Sequence, residues 1–150
     1  MVKTCDYLQS VLNEQIPITQ ALQVKVLDWK NHQLTLSMPL QPNINHMSSA
    51  FGGSLYCGAV LAGWGWMHLR LKELGAENAH IVIQDGQISY PYPVLGDVVI
   101  ECPPPSEAEW DKFERIFKRR SKGRLSLNTS VIYDGKEAVV FNGQFVVYCD

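Results

Sequence analysis

Two periodicities divide the chain. Leu8, Val11 and Leu12 recur at helical spacing between Tyr7 and Gln15, and Pro17 stops the pattern, which predicts a short amphipathic helix. From Thr19 to Trp29 the period becomes two: Leu22, Val24 and Val26 fall on one side, Gln23 and Lys25 on the other. After a turn at Asn31-His32, Leu34, Leu36 and Met38 alternate with Thr35 and Ser37 until Pro39. These two runs predict a β-hairpin. The segment from about Gly53 to Gly75 then reads as one long helix, apolar nearly all round until Arg70-Leu-Lys-Glu, with Gly75 at its closing position. A helix without a polar face must be wrapped by other elements. His80–Tyr90 and Asp97–Cys102 read as strands joined by Tyr90-Pro-Tyr-Pro-Val-Leu-Gly96, the first with a bulge expected at Asp85-Gly86. Pro103-Pro-Pro105 ends the second. Ser106-Glu-Ala-Glu109 carries a capping-box signature, and Trp110, Phe113 and Phe117 share one face, predicting a helix over Glu107–Arg119. Leu125, Leu127, Thr129, Val131 and Tyr133 alternate, Asp134-Gly135 turns, and Val139, Phe141, Phe145 and Val147 alternate again.

This order, with long two-faced strands around one fully apolar helix, predicts an α+β fold in which a curved antiparallel sheet wraps the central helix. At 150 residues the chain makes one domain. An open curved sheet keeps free edges, and pairing with a second copy is the usual remedy.

A net charge of −2 gives no electrostatic reason to expect nucleic acid as a partner, so any anion site must be local. Cys5, Cys57, Cys102 and Cys149 are far apart and lack the spacing of metal or redox motifs; free thiols in a reducing cytoplasm are the expectation. No metal is expected. Met1-Val-Lys-Thr-Cys-Asp-Tyr lacks the apolar core of a signal peptide, and Ser54–Leu69 is shorter than the roughly 20 residues a bilayer requires. The expected location is cytoplasmic, away from membranes.

Candidate chemistry gathers just before the central helix. From Asn31 to Leu69 there is no Asp, Glu, Lys or Arg, and within this stretch lies Pro42-Asn-Ile-Asn-His46-Met-Ser-Ser-Ala-Phe51-Gly-Gly-Ser54. Polar loop side chains, a glycine pair and the start of a buried helix can hold a polarised group against free backbone N–H donors. Gly52 and Gly53, lacking Cβ atoms, either make a tight turn or admit a carbonyl to the first-turn N–H groups. Asn45 is either a loop-closing Asx-turn or a side chain that orients water or substrate; His46 beside it is either solvated or catalytic. Ser54 is a first-turn residue or a substrate contact. Cys57 reads as an inert buried thiol. Lys118-Arg-Arg-Ser-Lys-Gly-Arg124 is the one basic cluster; it either complements a helix dipole or receives phosphates or an acidic protein surface through Arg119 and Arg120.

Pro-Asn-Ile-Asn-His at 42–46, Phe-Gly-Gly-Ser at 51–54 and Ile88-Ser-Tyr-Pro-Tyr-Pro-Val resemble the hotdog-fold thioesterase domains of the YiiD C-terminal type, over nearly the whole chain. The resemblance implies hydrolysis of an acyl thioester of coenzyme A or acyl carrier protein. It implies no cofactor beyond the coenzyme A of the substrate, and active sites at the interface of a homodimer or a dimer of dimers. Many hotdog thioesterases carry His-Gly-Gly at the helix start, an Asn six residues earlier and a helical carboxylate nine residues after the His. Here Phe51 takes the His place, Asn45 matches the Asn, and Val60 stands where the carboxylate would be. The missing carboxylate points to Asp85, on a strand expected near the helix start of the partner chain, where an apolar cleft would raise its pKa toward that of a general base. The expected catalytic set is therefore Asn45, His46, Gly53 and Asp85, with Phe51, Gly52, Ser54, Arg119 and Arg120 at the substrate. Two other readings stay open: a non-catalytic acyl-thioester or carrier-protein binding module, and acyl-thioester hydratase or dehydratase chemistry through His46 and Asp85.

Overall fold

The computed structural model describes residues 2–150. Helix α1 (Val2–Gln15) and a short α2 (Ile18–Leu22) precede the hairpin β1 (Lys25–Lys30) and β2 (Gln33–Met38). A 3-10 turn (Gln41–Asn43) leads into α3 (Gly52–Glu73), followed by β3 (His80–Ser89), β4 (Val98–Cys102), α4 (Glu107–Arg120), β5 (Lys122–Tyr133) and β6 (Lys136–Tyr148). Six antiparallel strands form one sheet in the order β1-β2-β4-β5-β6-β3, wrapped around α3. This is the hotdog arrangement that the pattern and the resemblance predict. β3 and β4, neighbours in sequence, lie apart: β4 sits between β2 and β5, whereas β3 forms an edge beside β6.

Central helix α3 is wrapped because it has no polar side. Leu55, Leu61, Trp66, Met67, Leu69 and Leu71 are all buried around its circumference. The sheet approaches so closely that a Cβ built at Gly63 would lie 2.5 Å from Cζ of Phe145 on β6. Thr129 on β5 hides its hydroxyl by donating to the Ala59 carbonyl at 3.4 Å. Gly75, at φ +73°, closes the helix in the left-handed region that glycine tolerates.

Both hairpin turns follow the local chemistry. Asn31 and His32 take φ of 51° and 59°, and Asp134 and Gly135 take 52° and 71°, the paired positive values of a two-residue type I′ turn. Helix α4 begins with the expected capping box: Ser106 Oγ accepts from the Glu109 N–H at 3.2 Å, and Glu109 Oε1 reaches back to the Ser106 N–H at 3.4 Å.

Three expectations are corrected. The segment from Thr19 is not strand throughout: Ile18–Leu22 is one helical turn, with Thr19 and Leu22, three residues apart, buried on one side and Gln23 at φ 57° ending it. Only from Lys25 does the chain extend. Helix α1 starts at Val2 rather than Tyr7, and Gln9 on it seals the free edge of the first hairpin, its Nε2 donating to the Val24 carbonyl and its Oε1 accepting from the Val26 N–H. The bulge in β3 falls between Ile83 and Asp85, not at Asp85-Gly86. Gly86 stays in register opposite Gly143, and its missing Cβ makes room for the Tyr56 hydroxyl of α3.

Candidate active site at the start of the central helix

The loop before α3 is held by buried Asn43. Its Nδ2 donates to the carbonyls of Leu22 and Pro39, each at 2.9 Å, while its backbone carbonyl accepts from the Phe51 N–H at 2.7 Å. The chain is thus fixed one residue before the helix. Phe51 is the N-cap residue, extended at φ −66° and ψ 131°, and offers no side-chain cap. The first intrahelical bond runs from the Leu55 N–H to the Phe51 carbonyl at 3.0 Å. The N–H groups of Gly52, Gly53 and Ser54 are consequently left without helical acceptors, at the positive end of a helix about 33 Å long with no acid in its first turn.

What flanks this first turn is aromatic. A Cβ at Gly53 would run into the ring of Phe51, which is folded over the first turn yet 55% exposed. Tyr90, from the loop after β3, donates its hydroxyl to the Gly52 carbonyl at 3.0 Å and places its ring 3.5 Å from a Cβ built at Gly52. Burial pushes the Tyr90 phenol above its ordinary range, and the nearby Tyr56 and Cys57 push it further the same way. It therefore stays a neutral hydrogen-bond donor at physiological pH. Ile44, Met47, Tyr92 and Leu95 add exposed apolar surface from the two loops that flank the helix start.

Asn45 closes its own loop: Oδ1 accepts from the Met47 and Ser49 N–H groups at 2.9 and 3.0 Å, and Nδ2 donates to the Ser49 hydroxyl at 2.9 Å. It holds the loop in place. His46 is exposed and makes no hydrogen bond among the described residues; Ser54 is buried in the first turn. Cys57 is half-buried, less enclosed than expected for an apolar helix residue, and Val60 packs against the core.

Asp85 lies elsewhere. It pairs with Gln144 of β6, which in turn pairs with Ser126 of β5; these three share the outer face of the sheet, away from α3. Gly86 and Gly143, the next pair, face inward against Tyr56 and Phe141. Within one chain, the structure gathers Phe51, Gly52, Gly53 and Ser54 at the helix start with Asn45 and His46 on the loop before it, and leaves Asp85 on the opposite side of the sheet. Arg120 lines a cleft between α4 and β5, whereas Arg119 is exposed and is not among its lining residues.

Two participants escape the sequence reading of residue roles, Asn43 and Tyr90. The Tyr-Pro-Tyr-Pro run was the available signal for Tyr90, because Pro91 and Pro93 directly after it stiffen the loop that places its ring. The spacing to Phe51 singles out Asn45, and nothing in the sequence marks Asn43. Among the described residues, no three His, Cys, Asp or Glu side chains are grouped as metal ligands, and no helix is long and apolar enough to cross a membrane.

Comparison with known structures agrees with this architecture. A protein of unknown function from Chlorobaculum tepidum matches with TM-score 0.90 and 32% identity, over 97% of this chain and 94% of the other. A putative thioesterase from Shewanella oneidensis matches with TM-score 0.86 and 27% identity, over 99% and 100%. The E. coli PaaI protein from the phenylacetic acid degradation operon, at 13% identity and TM-score 0.64 over 95% and 92%, shares the fold alone. A family model described as "Putative thioesterase (yiiD_Cterm)" matches residues 5–149, nearly the full length, and the chain belongs to that family of hotdog proteins.

Proposed function

We propose that the protein hydrolyses acyl thioesters of coenzyme A or acyl carrier protein at the start of α3. The observation that carries this reading is the uncapped first turn. Three N–H donors at Gly52, Gly53 and Ser54 lie beside an exposed Phe51 ring, in a stretch without charged side chains. A thioester carbonyl set against these donors would develop its negative charge where the helix dipole and N–H groups already point. Phe51 has to swing aside for that approach, and its exposure leaves it free to do so. Asn45 and the Tyr90 hydroxyl act by fixing the loop and the first turn; His46 and Ser54 stand beside the substrate path.

Attack by water needs a base, and the carboxylate of Asp85 is assigned that role on a site completed by a second copy of the chain. Its exposed side chain, free of ion pairs and hydrogen bonds among the described residues, supports the assignment, as does its position on an edge strand. Among the described residues β3 pairs only with β6 and exposes Val82 at 46% and Ile83 at 36%, an edge that invites a partner. The assembly is a homodimer or a dimer of dimers in which the outer face of one chain meets the helix start of another.

Val60 favours a second reading, acyl-thioester binding without turnover, because it leaves α3 without a carboxylate. Thiol release from a panel of acyl-coenzyme A thioesters separates the two. The expected result is turnover by the parent protein and its loss in Asp85→Asn, with thioester binding retained. Binding without turnover across the panel establishes the module instead, and parent-like turnover by Asp85→Asn moves the base to His46.

A further inference from the structure

Seven of the thirteen Lys and Arg residues lie between Lys112 and Arg124, in a chain of net charge −2. The fold divides them. Lys118 pairs with Glu114 at 2.6 Å, and Arg115 and Lys118 border a separate surface hollow beside Asp111 and Glu114. Lys112 and Arg120, eight residues apart and so on one stripe of α4, face Lys122 and Arg124 of β5 across a cleft of about 540 Å³. Ile116 and Gln144 complete its walls. None of these four cations makes an ion pair among the described residues.

The cleft exists because β4 is short. It pairs with β5 only at Ser130–Ile132, so the Lys122–Asn128 half of β5 has no strand on that side, and α4 lies there instead. Phe113 and Phe117 turn inward onto Gly123, leaving Lys112, Ile116 and Arg120 on the side facing Arg124 and Gln144. A second hollow of about 200 Å³ shares Lys112, Ile116, Arg124 and Gln144 with it and extends to Ser126 and Leu125. The one acid lining either space, Glu109, is engaged with Ser106 in the capping box. Four like charges around one concavity, with an apolar wall and an amide beside them, match a ligand that carries several phosphates next to a less polar body.

We propose that this cleft binds the phosphorylated nucleotide end of a coenzyme A-type ligand through Lys112, Arg120, Lys122 and Arg124. Its placement deepens the hydrolase reading and rests on it for the reacting end: Gln144, which lines the cleft, pairs directly with Asp85 one strand spacing or about 5 Å away, and Ser126 of the adjoining hollow continues the same cross-strand row on the outer face. A thioester anchored by its phosphates therefore runs along that face toward the Asp85 carboxylate. The cluster recognised in the sequence is redrawn: Arg120 belongs to it and Arg119 does not, while Lys112, Lys122 and Arg124 complete it.

Calorimetric titration of the 150-residue chain with coenzyme A, pantetheine and inorganic pyrophosphate tests the site. Coenzyme A binding that weakens steeply with salt, weaker pyrophosphate binding, and no gain from pantetheine alone are expected. The triple variant Arg120→Gln/Lys122→Gln/Arg124→Gln should lose at least about tenfold in coenzyme A affinity at low salt, with unchanged circular dichroism. Arg124→Gln alone serves if the triple variant does not fold. The Michaelis constant for an acyl-coenzyme A should rise in parallel, while hydrolysis of the matching acyl-N-acetylcysteamine thioester, which has no phosphates, should not change. Parent-like coenzyme A affinity in the variants overturns the proposal, as does a parent that ignores coenzyme A and binds an acidic carrier protein through these residues. If nothing is hydrolysed but the variants still lose coenzyme A, the cleft stands and the hydrolase reading falls. If hydrolysis proceeds with unaltered Michaelis constants, the reverse holds.

Discussion

At the start of α4, Ser106 and Glu109 satisfy each other's backbone donors, two acids sit in the first turn and three cations in the last. At the start of α3, the N-cap position holds Phe51, the first turn has no acid, and three N–H groups have no helical acceptor. Helix α4 is thus stabilised by its own sequence, each local device adding a few tenths to about 1 kcal/mol. Helix α3 receives little of that kind of help and persists because the sheet encloses it. The difference locates the part of the molecule where stabilisation has been left out, and uncapped donors left out of local bonding remain available to a ligand.

The largest expected effect breaks the α3 side of this comparison. Gly53→Val places methyl groups where the Phe51 ring now lies and fills the approach to the first-turn donors. Turnover of an acyl-coenzyme A should fall by roughly 10²–10³, the scale of losing one oxyanion donor, while the elution volume and circular dichroism stay those of the parent. Repeating the substitution in a Phe51→Ala background removes the clash with the ring; turnover that returns there assigns the loss to ring displacement, and turnover that stays lost assigns it to the donors.

A smaller effect comes from treating both helix starts alike. Ser106→Ala removes the α4 cap and should cost about 1 kcal/mol, lowering the melting temperature by about 3 °C with no change in turnover. Phe51→Ser supplies the cap that α3 lacks, its hydroxyl accepting from the Ser54 N–H. It should raise the melting temperature by up to a similar amount while lowering turnover, because the new hydroxyl occupies a donor meant for the substrate. Equal and opposite shifts in stability with activity lost only at Phe51 sharpen the contrast. A turnover that survives Phe51→Ser ends the oxyanion assignment at Ser54.

The same contrast explains what could be read from the chain. Elements specified by neighbours in sequence were legible: the α4 capping box, the turns at Asn31-His32 and Asp134-Gly135, and the Gly75 stop. So was the wrapped character of α3, since a helix apolar on every side has one solution. Thr19–Leu22 misled because Leu22, Val24 and Val26 keep a period of two across a boundary; burial of Thr19 and Leu22 on one helical turn outweighed the alternation. At the site, the glycine pair and the Phe51 position were visible, but the ring over Gly53 is a rotamer and the Asn43 anchor depends on Leu22 and Pro39 being brought to it. Asp85 shows the limit most plainly. Its face follows from the register with Gln144 and from an extra residue at Gln84, and a shift of one position would have turned it inward.

The smallest expected effect measures how much of α4 is local. Lys118 and Glu114 pair at 2.6 Å with i,i+4 spacing, and the hydrogen bond from Lys118 is the foremost cause holding the Glu114 carboxyl below its ordinary range. Because the folded pKa is depressed, the pair stabilises above the unfolded Glu value near 4.3, and that contribution is lost as pH falls through the folded value. With Lys118 well exposed, solvent screening limits it to about 0.3–0.5 kcal/mol. Lys118→Gln should therefore cost no more than this at pH 7, return the Glu114 carboxyl toward its ordinary pKa in an NMR titration, and differ less from the parent as pH falls through the folded value. A loss well above 1 kcal/mol at pH 7 would show that α4 is held by tertiary charge interactions rather than by its own sequence. In that case the contrast with α3 would rest on the caps alone.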